Sequence, residues 1–113
     1  MTSRLPARLE VSALVRAVNA AGGFAVVVNK GEPDAGSVLV ICAENGANRR
    51  IFERLPSIDE DRKWSVSMIE DTENKHLFKD YLTRRRSQDP DLWIIELDIA
   101  NGERFIGLAG TEG

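Results

Sequence analysis

Apolar residues recur along this chain first with the period of a helix and then with the period of a strand. In residues 10–21, EVSALVRAVNAA, the positions Val11, Leu14, Val15, Val18 and Ala21 form one stripe, and Glu10, Arg16 and Asn19 fall opposite. That spacing predicts an amphipathic helix. Gly22-Gly23 follows, and glycine accepts the left-handed backbone that turns a chain past a helix end. Phe24–Asn29 and Ser37–Ala43 are apolar at nearly every position, which predicts strands covered on both faces or central in a sheet. KGEPDAG between them has turn chemistry. Arg49–Leu55 follows AENGAN, whose Asn45-Gly46 predicts a tight hairpin. Lys63–Ile69 alternates, with Trp64, Val66 and Met68 on one side and Lys63, Ser65 and Ser67 on the other, as a half-buried strand does. The linker before it, PSIDEDR, is polar.

Asp71 or Thr72 is placed to cap a second helix, with Glu73 in its first turn. Leu77, Phe78, Tyr81 and Leu82 share one face of it. The helix should end near Ser87, because Pro90 disfavours helical backbone at Asp89. Leu92–Ile99 reads as a strand, with Trp93, Ile95, Leu97 and Ile99 on one face and Leu92, Ile94, Glu96 and Asp98 on the other. Asn101-Gly102 predicts a second hairpin into a strand over Glu103–Leu108. The expected order is α-β-β-β-β-α-β-β. Short connections favour a mostly antiparallel meander of five or six strands. Two amphipathic helices on its apolar face would make an α+β two-layer domain. A chain of 113 residues is expected to form a single domain over 1–113, ordered from about 5 to 108, with a flexible tail at 109–113.

Composition narrows the function classes. Apolar residues at 42% and charged residues at 29% fit a globular domain rather than a disordered chain. No apolar run is long enough to span a bilayer, and arginines at 4, 8 and 16 leave no secretory signal pattern. The single cysteine, Cys42, has no disulfide partner in the chain and no second thiol for a metal site. A cytoplasmic protein is the expectation. The net charge of −3 argues against a nucleic-acid partner, since such domains are usually basic. The charge divides into +2 over residues 1–56 and −5 over 57–113, a mild polarity able to orient a partner weakly.

The most suggestive stretch is RRRSQDPDLWIIELDI, residues 84–99. Arg84, Arg85 and Arg86 fall in the last turn of the second helix, where cations complement the helix dipole. Three consecutive helical residues fan over about 200°, so they do not converge on one phosphate. Asp89 and Asp91 flank Pro90 as turn residues, and Trp93 on an alternating strand has the pattern of a core residue. Glu96 and Asp98 neighbour each other on one strand face, the minimum for a paired-carboxylate acid/base site. A lone His76 is a weak metal-site signal. Cys42 lies in an apolar strand and would need the fold to bring His76 beside it to form a nucleophile pair. Phosphate-loop, dinucleotide and zinc-protease motifs are absent from the sequence, so no cofactor and no metal are indicated.

The run RLPARLEVSALVRAVNAAGGFAVVVNKGEPDAGSVLV and the later DPDLWIIELD resemble a small, mainly alphaproteobacterial family known as domain of unknown function 1491. The likeness spans nearly the whole chain, and VSALVR, NAAGGFA, the GEPDAG turn and DPDLWIIE carry it. Glu10 departs from the apolar or aromatic residue expected there. The resemblance implies a stand-alone cytoplasmic α+β domain and carries over no activity, cofactor or site residue.

Three functions remain in order. The first is a non-catalytic protein-interaction or regulatory module, with a protein partner or a second copy meeting an exposed sheet edge. The second is a small-ligand-binding protein or enzyme built on a polar cluster of Asp89, Asp91, Glu96 and Arg84–Arg86, beside Trp93. The third is a weak nucleic-acid contact through the arginine triplet with Lys79 and Arg62, opposed by the acidic balance and the few aromatics available for stacking.

Overall fold

The computed structural model describes residues 5–55 and 63–107. The expected flexible tail and the linker PSIDEDR, with Arg62, lie outside the described residues. Helix α1 spans Ala7–Ala20 and helix α2 spans Lys75–Gln88. The strands are β1 (Phe24–Asn29), β2 (Val38–Glu44), β3 (Ala47–Leu55), β4 (Lys63–Ile69) and β5 (Trp93–Asp98), and a short 3-10 turn, η1, follows at Gly102–Ile106. The five strands form one sheet in the order β1-β5-β2-β3-β4. All neighbours are antiparallel except β2 and β5, which run parallel. The α+β class, the two helices and the mostly antiparallel sheet are as the sequence predicts.

The meander holds only for β2-β3-β4. Between β2 and β3 the Asn45-Gly46 turn has both φ angles positive, at 56° and 77°, as a two-residue hairpin requires. Asp98 at the end of β5 accepts the amides of Asn45 and Gly46 at 2.6 and 2.9 Å, fixing that hairpin to the centre of the sheet. β1 and β2 do not pair, because β5 is inserted between them. The segment joining β1 to β2 crosses the start of β5 as a strap. The Glu32 amide donates to the Asp91 carbonyl at 3.1 Å, and the Trp93 amide donates to Ser37 at 2.8 Å. The Trp93 indole donates to the Glu32 carbonyl at 2.8 Å. The strap also finishes α1: the amides of Ala7 and Arg8, unpaired within any helix, donate to the carbonyls of Asp34 and Pro33 at 3.2 and 2.8 Å. Gly31 and Gly36 make this approach feasible, since a Cβ on either would overlap the Asp91 carbonyl oxygen.

β2 and β5 are apolar on both sides because both sides are covered. On one face Val38, Val40, Cys42, Trp93, Ile95 and Leu97 pack under Val11, Leu14 and Val18 of α1. On the other, Leu39, Ile41, Ile51 and Ile94 pack under Phe78 of α2. The helices thus take one face each instead of sharing one. A bulge in the β3–β4 pairing moves Met68 into the α2-side cluster, away from Trp64 on the α1 side. Leu77 is exposed, and α2 begins later than expected: Asp71 accepts the Glu73 amide at 2.9 Å and closes a turn ahead of Asn74.

Two other expectations are overturned. β1, expected to be covered or central, is an edge strand with Phe24, Val26, Val27 and Val28 exposed. The strand expected over Glu103–Leu108 is η1 within the described residues. β5 already pairs with β1 and β2, so a hairpin after it has no free edge to join. Asn101 takes left-handed backbone at φ 55°, Gly102 passes close to the Cys42 side chain, and Phe105 and Ile106 fold back onto the α1-side core. Arg50 holds the turn through Glu103 at 2.6 Å.

The strap predicts a specific sensitivity. Gly31→Ala should lower unfolding stability by about 1–3 kcal/mol, the usual cost of forcing atoms into a packed site. Denaturant titration measures it, and an unchanged midpoint would contradict the backbone contact.

Candidate functional site

Beneath α2 lies a polar cluster that periodicity alone does not predict. Glu53 follows Ile51 by two residues on β3 and so turns to the same, buried face; it is 5% exposed. Its Oε2 accepts the Ser67 hydroxyl at 2.8 Å and the Tyr81 phenol at 2.5 Å, and its Oε1 accepts Arg85 Nε at 2.9 Å. Burial pushes the Glu53 carboxyl up, but the hydrogen bonds from Tyr81, Arg85 and Ser67 outweigh it and hold the group below its ordinary value. The Tyr81 phenol is pushed up, by burial first and then by its bond to Glu53. A carboxylate so satisfied is a poor base. Its role is to anchor α2, whose only buried residue is Phe78. Tyr81 and Arg85 stand four apart on the helix, and that spacing beside Glu53 on the register of Ile51 is the signal the sequence offered.

The residues singled out from the sequence are dispersed. Arg85 is consumed by Glu53, whereas Arg84 lies over the Tyr81 ring at 5.7 Å. Arg86 lines a shallow polar cleft with Asn29, Thr83, Ser87 and Pro90. The Asp89 side chain accepts the Asp91 amide at 3.1 Å, a local turn, while the Asp91 carbonyl receives the strap. Trp93 belongs to the α1-side core. Glu96 is on the other face, and its carboxyl is raised by burial, offset by Arg49 and reinforced by Asp98 and Glu70. Asp98 is committed to the Asn45-Gly46 turn. Cys42 is buried with its thiol pushed up to about 12, chiefly by desolvation, and the sheet separates it from His76 on α2. Among the described residues no cluster of three or more His, Cys, Asp or Glu is arranged to hold a metal ion. No helix among them is long and apolar enough to cross a membrane.

The remaining candidate is the β1 edge. Phe24 is 73% exposed and Val26 58%. They register with Asp98 and Glu96 of β5, on the sheet face that α2 covers only farther across. Ala25 and Val27 turn toward α1, and beside them Arg8, Val11, Ser12, Val15, Lys30, Pro33 and Trp93 line a groove of about 380 Å³. Among the described residues no strand pairs with the outer backbone of β1. The edge therefore offers main-chain donors and acceptors flanked by apolar side chains, and no charge lies within FAVVVN.

A family model described as "Protein of unknown function (DUF1491)" matches residues 5–107. A crystal structure of a DUF1491 family protein from Caulobacter crescentus CB15 is 29% identical, covers 90% of this chain and 94% of its own, and superposes with a TM-score of 0.76. An NMR structure of a DUF1491 family protein from the same organism is 30% identical over 92% of this chain and 94% of that one, with a TM-score of 0.77. The solution structure of protein Atu0922 from A. tumefaciens is 28% identical, covers 97% and 98% of the two chains, and has a TM-score of 0.72. No curated protein matches the chain.

The α2 anchor makes a pH-dependent prediction. Glu53 has a lower pKa folded than unfolded, so its contribution is fully present above its ordinary value of 4.5 and is lost as pH falls through the folded value. Arg85→Leu should cost about 1.5–3 kcal/mol at neutral pH, the range for a hydrogen bond to a charged group. The gap from the parent protein should narrow in acid. Arg84→Leu should change stability by less than about 0.5 kcal/mol. Urea titrations at several pH values test all three.

Proposed function

The chain belongs to the DUF1491 family of unknown function, and within it we propose a non-catalytic, cytoplasmic interaction module that binds a protein partner through the β1 edge. One observation carries this: an uncharged, apolar strand lies at a sheet edge with its side chains in water. Unpaired strand edges recruit other strands through their backbone groups, and natural proteins usually blunt them with charge, proline or a covering element. Within Phe24–Asn29 there is neither charge nor proline. Strand addition takes affinity from main-chain hydrogen bonds and selectivity from alternate side chains. The dispersal of Arg84–Arg86, Asp89, Asp91, Trp93 and Glu96 favours this over a ligand site assembled from them.

A pull-down from native lysate tests the proposal when paired with variants. A partner identified by mass spectrometry and reconstituted from pure components should bind at least about tenfold more weakly to Val26→Lys, since each tenfold is about 1.4 kcal/mol. Arg86→Gln should leave binding intact. Equal recovery by Val26→Lys, or recovery that depends on Arg86 instead, would overturn the β1 edge as the binding surface.

A further inference from the structure

We infer that the partner at this edge is a second copy of the chain, its β1 running antiparallel to the first to make one ten-stranded sheet. This rests on β1 being an interaction edge at all. An antiparallel strand pair has a twofold axis, so one strand can serve both sides of a closed, isologous dimer.

The chemistry of β1 suits self-pairing. In a twofold contact the residues at the axis meet their own copies, so a charged residue there would face its like. Phe24–Asn29 is free of charge. The opposite edge is less suitable: β4 alternates Ser65 and Ser67 with its apolar residues, and its pairing with β3 is bulged, which blunts an edge. The register of β1 is itself constrained. Its ladder to β5 is regular from Phe24 to Val27 and breaks between Val27 and Asn29. Set on Ala25, within the regular part, a twofold keeps directly opposed side chains on one face. Phe24 then faces the partner's Val26 on the open face, an aromatic against a β-branched residue, which is a favourable cross-strand pair. Gly23 faces the partner's Val27 and leaves it room. Each small residue meets a small or a complementary one.

The area sets the strength. Phe24, Val26, Val27 and Val28 are 73%, 58%, 41% and 48% exposed. Together they offer up to roughly 400 Å² of apolar surface per copy, within the range of the largest patch on an ordinary monomer. With the backbone edges, two copies bury about 1,000 Å², the lower limit for a specific interface. An interface of that size sits with weak, transient encounters, so the expectation to test is a reversible dimer.

Analytical ultracentrifugation of the full chain, from low micromolar to several hundred micromolar, is the experiment. The mass should rise from monomer to dimer, and the β1 amides should gain hydrogen-exchange protection over the same range, a readout that needs no variant. Val26→Lys should move the midpoint at least tenfold upward. Val66→Lys on the comparably exposed β4 should not. Ala25→Cys should form a disulfide-linked dimer under mild oxidant, with the buried Cys42 too protonated to compete. A monomer at every concentration, or a dimer indifferent to Val26→Lys, overturns the inference. If that monomer still binds a different protein in a Val26-dependent way, only the second copy fails. If no binding depends on Val26, the interaction edge fails with it.

Discussion

Residues 31–36 lie across the mouth of the sheet, and the topology depends on that contact. The strap places carbonyls on the first turn of α1, receives the Trp93 indole at the Glu32 carbonyl, and rests its two glycines against the Asp91 backbone. It thereby joins the start of α1, the end of β1, the start of β2 and the start of β5. A shorter, tighter turn would have paired β1 with β2 directly. The longer connection leaves a gap one strand wide, and β5 fills it parallel to β2. Neither glycine needs an unusual backbone angle here. Each is required by the closeness of another backbone.

The position of β5 inside the sheet decides where both helices go. A strand with two neighbours and an apolar face on each side has to be covered twice, so α1 and α2 separate to opposite faces. The chain after β5 has no edge to pair with and closes over the α1-side core as η1. α1 is held broadly, by a continuous stripe of Val11, Leu14 and Val18. Its Glu10 is an ion-pair partner of Arg54 at 2.8 Å, and Arg54 in turn lies over Trp64. A charged residue at this position therefore finds its use across the sheet. α2 is held more narrowly, by Phe78 and by the carboxylate of Glu53. That difference explains why a buried acid is kept inside an otherwise apolar register: it fixes how the helix sits where apolar contact is scarce.

Local structure was legible in the sequence because local structure obeys periodicity. The bounds of β1 and β4, the faces of β5 and the Asn45-Gly46 hairpin all come from spacing and turn chemistry. Strand order did not, since it depends on contacts between residues some sixty positions apart, such as the Glu32 carbonyl with Trp93. The same long-range dependence hid the fate of the arginines. A helix turn spreads Arg84, Arg85 and Arg86 apart, as geometry requires, but that Arg85 would turn inward depended on Glu53 lying beneath it. Met68 changed sides because a bulge altered the alternation, and bulges leave no dependable mark in a single sequence.

β1 and β2 expose the limit of pattern most clearly. FAVVVN and VLVICAE read alike as apolar strands, yet β2 is buried at nearly every position and β1 is open at most. In β2 the packing of two helices demands apolar residues on both faces. In β1 the fold asks for them only at Ala25 and Val27, which turn toward α1. Phe24 and Val26 belong to neither helix-covered core, and polar β-formers such as threonine would satisfy the backbone there equally well. Exposed apolar side chains on an open edge carry a standing risk of aggregation. Folding of the single chain gives no return for that risk, whereas the edge pairing proposed above would cover those side chains and supply one.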